Sequence, residues 1–512
     1  MSKTRLQQIV SNVTASYTNM GVGAACSLIT VPLYVRFLGK EEYGLWLVVL
    51  SLLWPLSIMA LGFPTVTQNM LAEAHAHGDW KEARRVLATG FTLLAVSTLI
   101  GCALAIILAH SGVLARLLKT SSSLQARALL VVLVSIAGYA LAQPLQVFRM
   151  ALRAFERVDL EQQGLSLQTL LNLLVIVVVL VLGGRVVAVA IAYAVVQVLS
   201  GGFFLLYVRR KFPLLDFSFA DVSKDSAPSM LTPGFHFFVL SLSGVLIWGV
   251  DNIVISAVLG VAFVTAFAIA SRLTSILRGI VITLFSTMAP TVTALHAEKK
   301  SETLRSVYVL STKLAIGLAL LLGIELAFFG RDFIALWAGK QVVVDQATFW
   351  SLTGILAVNV FAQPAFFLIV ATSKHKTYSY LCLAEGTLNL ALSYWWVHVW
   401  GVRGVALGTL VSHALVSGLY LPWAGMRMLA LPLLGTLARC LLRLLPPATA
   451  GFLVALVLRG NAMSWVHWVL SSSATCAAFL VTYAVVALAP EEADVLRNAF
   501  LRRSRNFAVG RG

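Results

Sequence analysis

Fourteen continuous apolar runs of about twenty residues or more decide what this chain can fold into. They lie near residues 11–38, 43–70, 86–110, 127–150, 164–183, 186–208, 234–259, 262–290, 304–329, 347–372, 379–399, 404–424, 438–458 and 464–488. A hydrocarbon layer about 30 Å thick is crossed by about 20 residues of α-helix. In lipid a helix satisfies its own backbone, whereas an open strand does not. A closed outer-membrane barrel is excluded, because its spans would be alternating segments of about ten residues. Soluble domains are about 45–50% apolar and about 25% charged. This chain is 59% hydrophobic and 12% charged. The sequence predicts an all-α polytopic membrane protein with about 14 transmembrane helices.

The opening MSKTRLQQIVSNVTASYTNM carries Lys3 and Arg5 but no compact apolar core before a small-residue cleavage site. It reads as the start of the first span and not as a cleaved signal. Cys26, Cys102, Cys382, Cys440 and Cys476 stand in apolar runs without metal-ligand spacing. They are expected to pack as small hydrophobes, with no disulfide and no metal. The net charge of +17 does not point to nucleic acid, since the basic residues punctuate the spans. No Walker A sequence, catalytic triad or zinc motif is present, and no enzyme activity or cofactor is expected.

Charge sets the orientation. With a cytoplasmic N-terminus, 24 of the 38 Lys and Arg fall on that side, 9 on the other and 5 inside spans. By the positive-inside rule both termini are then cytoplasmic and the span count is even. The two halves also repeat. Leu38-Gly39 recurs as Leu259-Gly260, Pro64-Thr65-Val66-Thr67 as Pro290-Thr291-Val292-Thr293, and Arg84 as Arg305. Ala142-Gln143-Pro144 recurs as Ala362-Gln363-Pro364, and Asn172 as Asn389. GGRVVAVAIAYAVVQVLSG from Gly183 matches GVRGVALGTLVSHALVSGL from Gly401. Each repeat holds six spans, so both insert the same way up, as two parallel six-helix lobes. The expected organisation is an N-lobe at 1–208, a cytoplasmic linker at 209–233 and a C-lobe at 234–424. A C-terminal helix pair at 425–488 and a basic cytoplasmic tail at 489–512 follow.

The segment TVPLYVRFLGKEEYGLWLVVLSLLWPLSIMALGFPTVTQNMLAE, from Thr30, resembles the opening of bacterial polysaccharide transporters. These include the O-antigen flippases of the multidrug/oligosaccharidyl-lipid/polysaccharide exporter superfamily. GVDNIVISAVLG followed by AFAIASRL is similar to the start of that family's second lobe, with its acidic residue at Asp251. The first lobe has Thr30 at the position matching Asp251. The resemblance implies the bacterial inner membrane and a cavity between the lobes that opens alternately to either side. It implies as substrate a polyprenyl-pyrophosphate-linked oligosaccharide, whose tail stays in membrane lipid. Polysaccharide polymerase and chain-length proteins are further candidate partners.

Charges inside spans are the candidate functional residues, because one near a bilayer centre costs roughly 2.5–3.5 kcal/mol. Asp251 lies about 13 Å of helix before the turn at Gly260, and Arg272 about 18 Å after it. They are either a structural pair or a coupling and substrate site. Arg278 follows six residues later, on a different face. Gln146, Arg149, Arg153 and Arg157 are spaced three, four and four apart, which puts them on one helical face. Arg is suited to a pyrophosphate because its fork binds two oxygens at once. The alternative for the end residues is snorkelling toward the interface, above all for Arg157 and Arg36. Lys313 and Glu385 are an ion-coupling or structural pair, and Glu325 and His236 are further titratable groups in spans. Gln68, Asn69, Asn172 and Asn389 are expected to hydrogen-bond between helices.

The functional expectation is a flippase for an O-antigen, capsule or exopolysaccharide repeat unit, driven by an ion or proton gradient. The rivals are a cation-coupled drug antiporter or a peptidoglycan-precursor flippase of the same fold, and a membrane glycosyltransferase, ligase or polymerase. Five mid-span cations against three acids speak against the antiporter. The short outward loops speak against the enzymes.

Overall fold

The computed structural model describes residues 3–60, 62–216, 218–223, 226–286, 288–372, 375–460 and 464–488. The predicted tail at 489–512 and the side chain of His236 lie outside this description. The described residues are almost entirely helical and contain no strand.

Helix α1 (Lys3–Phe37) passes through Pro32 and meets α2 (Gly39–Ile58) at Gly39, whose φ of 75° turns the chain. The second predicted span breaks, because Gly62 at φ 72° and Pro64 start a separate α3 (Phe63–Ala76). Asp79 caps α4 (Trp80–His110) by accepting from the Glu82 amide. The short α5 (Val113–Leu117) leads to α6 (Ser122–Ala142). Pro144 has no N–H to continue the helix, and α7 (Gln146–Ala154) starts after it. Glu156, at φ 58°, then turns the chain into α8 (Val158–Val181). Gly183, at φ 82°, precedes α9 (Val186–Lys211).

Helices α10 (Ser226–Trp248) and α11 (Asp251–Leu259) meet at 47° across Gly249-Val250. Gly260, at φ 107°, closes the hairpin into α12 (Val261–Ser286). After α13 (Ala289–Ala297), α14 (Ser301–Glu325) continues through a π-helical turn, Leu326–Gly330, into α15 (Arg331–Ala338). Next come α16 (Gln346–Ala371), α17 (His375–Trp400) and α18 (Val402–His413). A π-helical turn, Ala414–Tyr420, joins α18 to α19 (Leu421–Met428). The described residues close with α20 (Leu433–Leu458), α21 (Trp465–Thr482) and a last π-helical turn, Tyr483–Ala487.

Among the described residues, twelve helical spans are long and apolar enough to cross a membrane, and the bent pair α10–α11, counted as one span, makes thirteen. The remaining predicted span, 379–399, is α17, which is 26 residues long. Glu385, Asn389 and Ser393 near its middle make it less apolar than the rest. The repeat is visible locally. Gly39 and Gly260, and Gly183 and Gly401, all adopt positive φ. Pro64 and Pro290 open the short helices α3 and α13.

The chain divides into two compact units, residues 1–269 with 379–408, and residues 270–378 with 409–512. In the first, α1 runs along α8, α6 along α9, and α3 packs on α4 and α7. Leu71, Leu87, Val147, Phe148, Leu152 and Val208 are buried where these helices meet. Lipid is as apolar as leucine, so close fit rather than water exclusion holds such helices together. Gly138 shows the closeness, since a Cβ there would lie 2.4 Å from the Ala194 methyl. Helix α11 and the start of α12, as far as Ile269, belong to this unit too. Ser256 donates to the Leu117 carbonyl at 2.6 Å and Thr265 to the Lys40 carbonyl at 2.6 Å. Gly44 is required there, because its Cβ would fall 2.0 Å from the Val261 oxygen. In the second unit α14 packs between α16 and α20, with α21 on α20 and α13 and α19 on α16.

Candidate ion cluster inside the first unit

Helix α7 is short but strongly two-faced. Val147, Phe148, Ala151 and Leu152 are buried in the core, and Arg149 and Arg153 leave on the other side. Their four-residue spacing stacks them on one face. They meet Glu161, which stands in the first turn of α8 with no exposed side-chain surface. The Nε of Arg153 donates to Glu161 Oε2 at 2.6 Å, and Arg149 Nε lies 3.4 Å from Oε1. Arg149 Nη2 also donates to Gln146 Oε1 at 3.0 Å, and Gln146 is hydrogen-bonded to Gln143. The carboxylate is doubly favoured, by two cations and by the positive end of the α8 dipole.

The cluster continues along the α1–α8 seam. Gln162 donates to Glu161 and accepts from Asn19 at 2.8 Å, and Ser166 donates to Asn19 at 3.2 Å. Gln8 donates to Asp159, and Asn12 accepts from the Asp159 amide and donates to the Glu156 carbonyl. Each cross-helix contact removes a polar group that lipid would otherwise strand. Arg157 has left the Arg149–Arg153 face because α7 ends at Ala154. It forms a fork on Asp159 at 3.0 and 3.2 Å. That hydrogen bond, outside the spans, holds the Arg157 guanidinium above its ordinary range.

Two arginines and one carboxylate leave a surplus positive charge. Arg149 and Arg153 keep 25% and 39% of their side-chain surface, so the surplus is accessible. Among the described residues, no hydrogen bond or ion pair occupies the Nη groups of Arg153. A guanidinium with its Nη fork uncommitted is a bidentate donor for a phosphate or carboxylate.

The other predicted residues are spread more widely. Arg36 is exposed in the last turn of α1, with its guanidinium 5.8 Å from the Phe37 ring centre. Asp251 is the first residue of α11, half-buried at the 47° bend, where a helix N-terminus favours a carboxylate. Arg272 is exposed and Arg278 half-buried on α12, within the second unit. Lys313 is buried in α14 and donates to the Ala487 carbonyl at 2.9 Å. Glu385 is buried on α17 in the first unit. One turn on, Asn389 donates to the Leu246 and Ile247 carbonyls at 3.1 and 3.2 Å. It serves carbonyls that the α10–α11 break releases.

Sequence reasoning missed Glu161 and Glu42. Glu42 is buried in α2 and holds Arg185 at 2.8 Å, Arg127 at 3.4 Å and the Val186 amide at 3.1 Å. Arg127 and Arg185, which are among the 38 Lys and Arg counted for the orientation, are therefore also its partners. The signal for Glu161 was present: Asp159 and Glu161 open an apolar helix directly after an arginine ladder. Among the described residues no group of three His, Cys, Asp or Glu is placed to hold a metal, and no disulfide joins the five cysteines.

Residues 9–296, more than half of the chain, match the family described as polysaccharide biosynthesis protein. The chain belongs to that family. It is 21% identical over 419 residues to the uncharacterized membrane protein EpsK of Bacillus subtilis strain 168, covering 80% of this chain and 82% of that one. Among solved structures it resembles the lipid II flippase MurJ in an inward closed conformation. The TM-score is 0.73 at 14% identity, covering 93% of this chain and 98% of MurJ. An inward-facing multidrug resistance MATE family transporter of the MOP superfamily gives 0.69 at 18% identity, covering 81% and 94%. A MOP superfamily transporter from Pyrococcus furiosus gives 0.59 at 17% identity, covering 82% and 95%. The fold is that of MOP superfamily transporters, and the protein is a multi-pass membrane protein.

Proposed function

We propose that this protein is a flippase for a polyprenyl-pyrophosphate-linked oligosaccharide of the bacterial inner membrane, with both termini cytoplasmic and working by alternating access. The observation that carries this reading is the Arg149–Arg153 pair over Glu161, with its surplus positive charge and the uncommitted Arg153 fork. A diphosphate crosses hydrocarbon only along a polar route, and cationic walls lower the barrier. Binding must stay weak enough for release, and Glu161 moderates the two arginines. Arg272 and Arg278 are proposed as further contacts for the head group on the C-lobe side. Asp251, Lys313 and Glu385 remain candidates for coupling to an ion gradient or for structural pairing. A cation-coupled antiporter is less well supported, because the cluster's surplus has the wrong sign for a cationic drug. A peptidoglycan-precursor flippase fits the same chemistry, and the likeness to MurJ favours keeping it as the second reading.

The test is surface polysaccharide restored in a strain deleted for the gene. Arg153→Lys is expected to keep much of the activity, Arg153→Ala less, and Arg153→Glu least. Arg149 and Arg278 should follow the same order, with activity taken per amount of folded protein. Full restoration by all three glutamate variants would leave these arginines as orientation signals only. Rescue of a strain depleted of its peptidoglycan-precursor flippase would decide for the second reading.

A further inference from the structure

We propose that a cavity at the end of α19, within the second unit, binds the phosphate of an anionic membrane phospholipid. Its volume is 400 Å³, and Tyr378, Tyr420, Trp423 and Arg427 line it together with the apolar Ile369 and Met428. The Arg427 guanidinium lies 5.1 Å from the Trp423 ring centre, and Trp423 in turn packs on Tyr420 at 5.6 Å. This stack fixes where the charge points.

Three observations point to a lipid phosphate. First, Arg427 stands in the last turn of α19, at the end of the 27-residue span Val402–Met428. Such a span is about 40 Å long, the thickness of a bilayer with its headgroups. Arg, Trp and Tyr at that depth are the residues that meet headgroups. Secondly, the charge is uncommitted. The neighbouring Arg305 is used up on Glu302 at 2.8 Å and on the Leu429 carbonyl at 2.7 Å. Among the described residues no carboxylate pairs with Arg427, and no hydrogen bond engages the Tyr420 hydroxyl. A guanidinium and a phenol on one cavity wall are matched donors for phosphate oxygens. Thirdly, the wall formed by Ile369 and Met428 offers an acyl chain a place beside its own headgroup, which a free anion would not use. The proposal is independent of the flippase reading, since it concerns a resident lipid and not cargo.

Native mass spectrometry of the purified full chain in detergent tests it, with phosphatidylglycerol, phosphatidylcholine and inorganic phosphate added separately. Phosphatidylglycerol should be retained above phosphatidylcholine, and inorganic phosphate should not displace it. Arg427→Ala should lower phosphatidylglycerol retention about tenfold and Arg427→Lys less, because lysine keeps the charge without the fork. Tyr420→Phe removes one hydroxyl and little packing, and should lower retention about threefold. It carries the test if Arg427→Ala does not fold. Unchanged retention in Tyr420→Phe and Arg427→Lys, or displacement by inorganic phosphate, overturns the assignment.

Discussion

Two carboxylates within apolar helices of this protein are held in opposite ways. Glu161 on α8 is enclosed by the guanidiniums of Arg149 and Arg153. Glu325, at the end of α14, has neutral donors instead: the Ser472 hydroxyl at 2.7 Å and the Cys476 thiol at 3.2 Å, both on α21. The same α14 holds the far end of that helix pair through Lys313 and the Ala487 carbonyl. Trp468 adds a hydrogen bond to the Phe329 carbonyl at 3.0 Å. Glu325 and Lys313 thus join the C-terminal helix pair to α14. Glu161 instead gathers more positive charge than it neutralises. A charged residue inside a span therefore marks a candidate site only when its partners leave charge or donors over.

The comparison predicts unequal costs. Glu161→Ala should have the largest effect, because it leaves two guanidiniums facing each other inside the unit. Losing one partner of a buried pair costs about 3–5 kcal/mol. The partial exposure of Arg149 and Arg153 places this case near the low end. Folded yield by size-exclusion chromatography should fall sharply, and the added change Arg149→Gln should recover part of it. Wild-type yield from Glu161→Ala alone would break the comparison.

A smaller loss is expected at the neutral latch. Glu325→Ala strands a hydroxyl and a thiol on α21, at roughly 1–3 kcal/mol. Glu325→Gln keeps an acceptor for one of the two and turns an N–H toward the other, which can accept it, and should cost less than about 1 kcal/mol. Thermal unfolding in detergent separates the two. If Glu325→Gln is as damaging as Glu325→Ala, the negative charge itself matters and Glu325 is no mere latch. Arg36→Ala should matter least, under about 1 kcal/mol, since only a surface stack on Phe37 is lost. Surface polysaccharide should be unchanged. A clear loss of transport there would return Arg36 to the substrate path.

How much was legible follows from the range of each signal. Span composition is local, so the apolar runs reported nearly every helix, although Gly62 and Pro64 split the second span and Gly249-Val250 bends the seventh. The pairing of Arg149 with Arg153 was legible because a four-residue spacing fixes a shared face whatever surrounds it. The glycine hairpins at Gly39, Gly260, Gly183 and Gly401 were legible as repeats, since their positive φ leaves few other residues suitable.

The sequence by itself thus determined the helices, the repeat, the family and the basic face of α7, all of which are written in neighbouring residues. Only the tertiary structure decided which charges are occupied. Arg157 drops out of its ladder because one residue at φ 58° ends the helix early. Glu42 finds its cations 85 and 143 positions away, on α6 and at the start of α9. Glu161 and Glu325 each stand in an apolar helix, Glu161 two residues after Asp159. They differ because the helix packed against the first carries arginines and the helix packed against the second carries a serine and a cysteine. Electrostatic energy depends on distance in space, and no local pattern in a sequence encodes that distance.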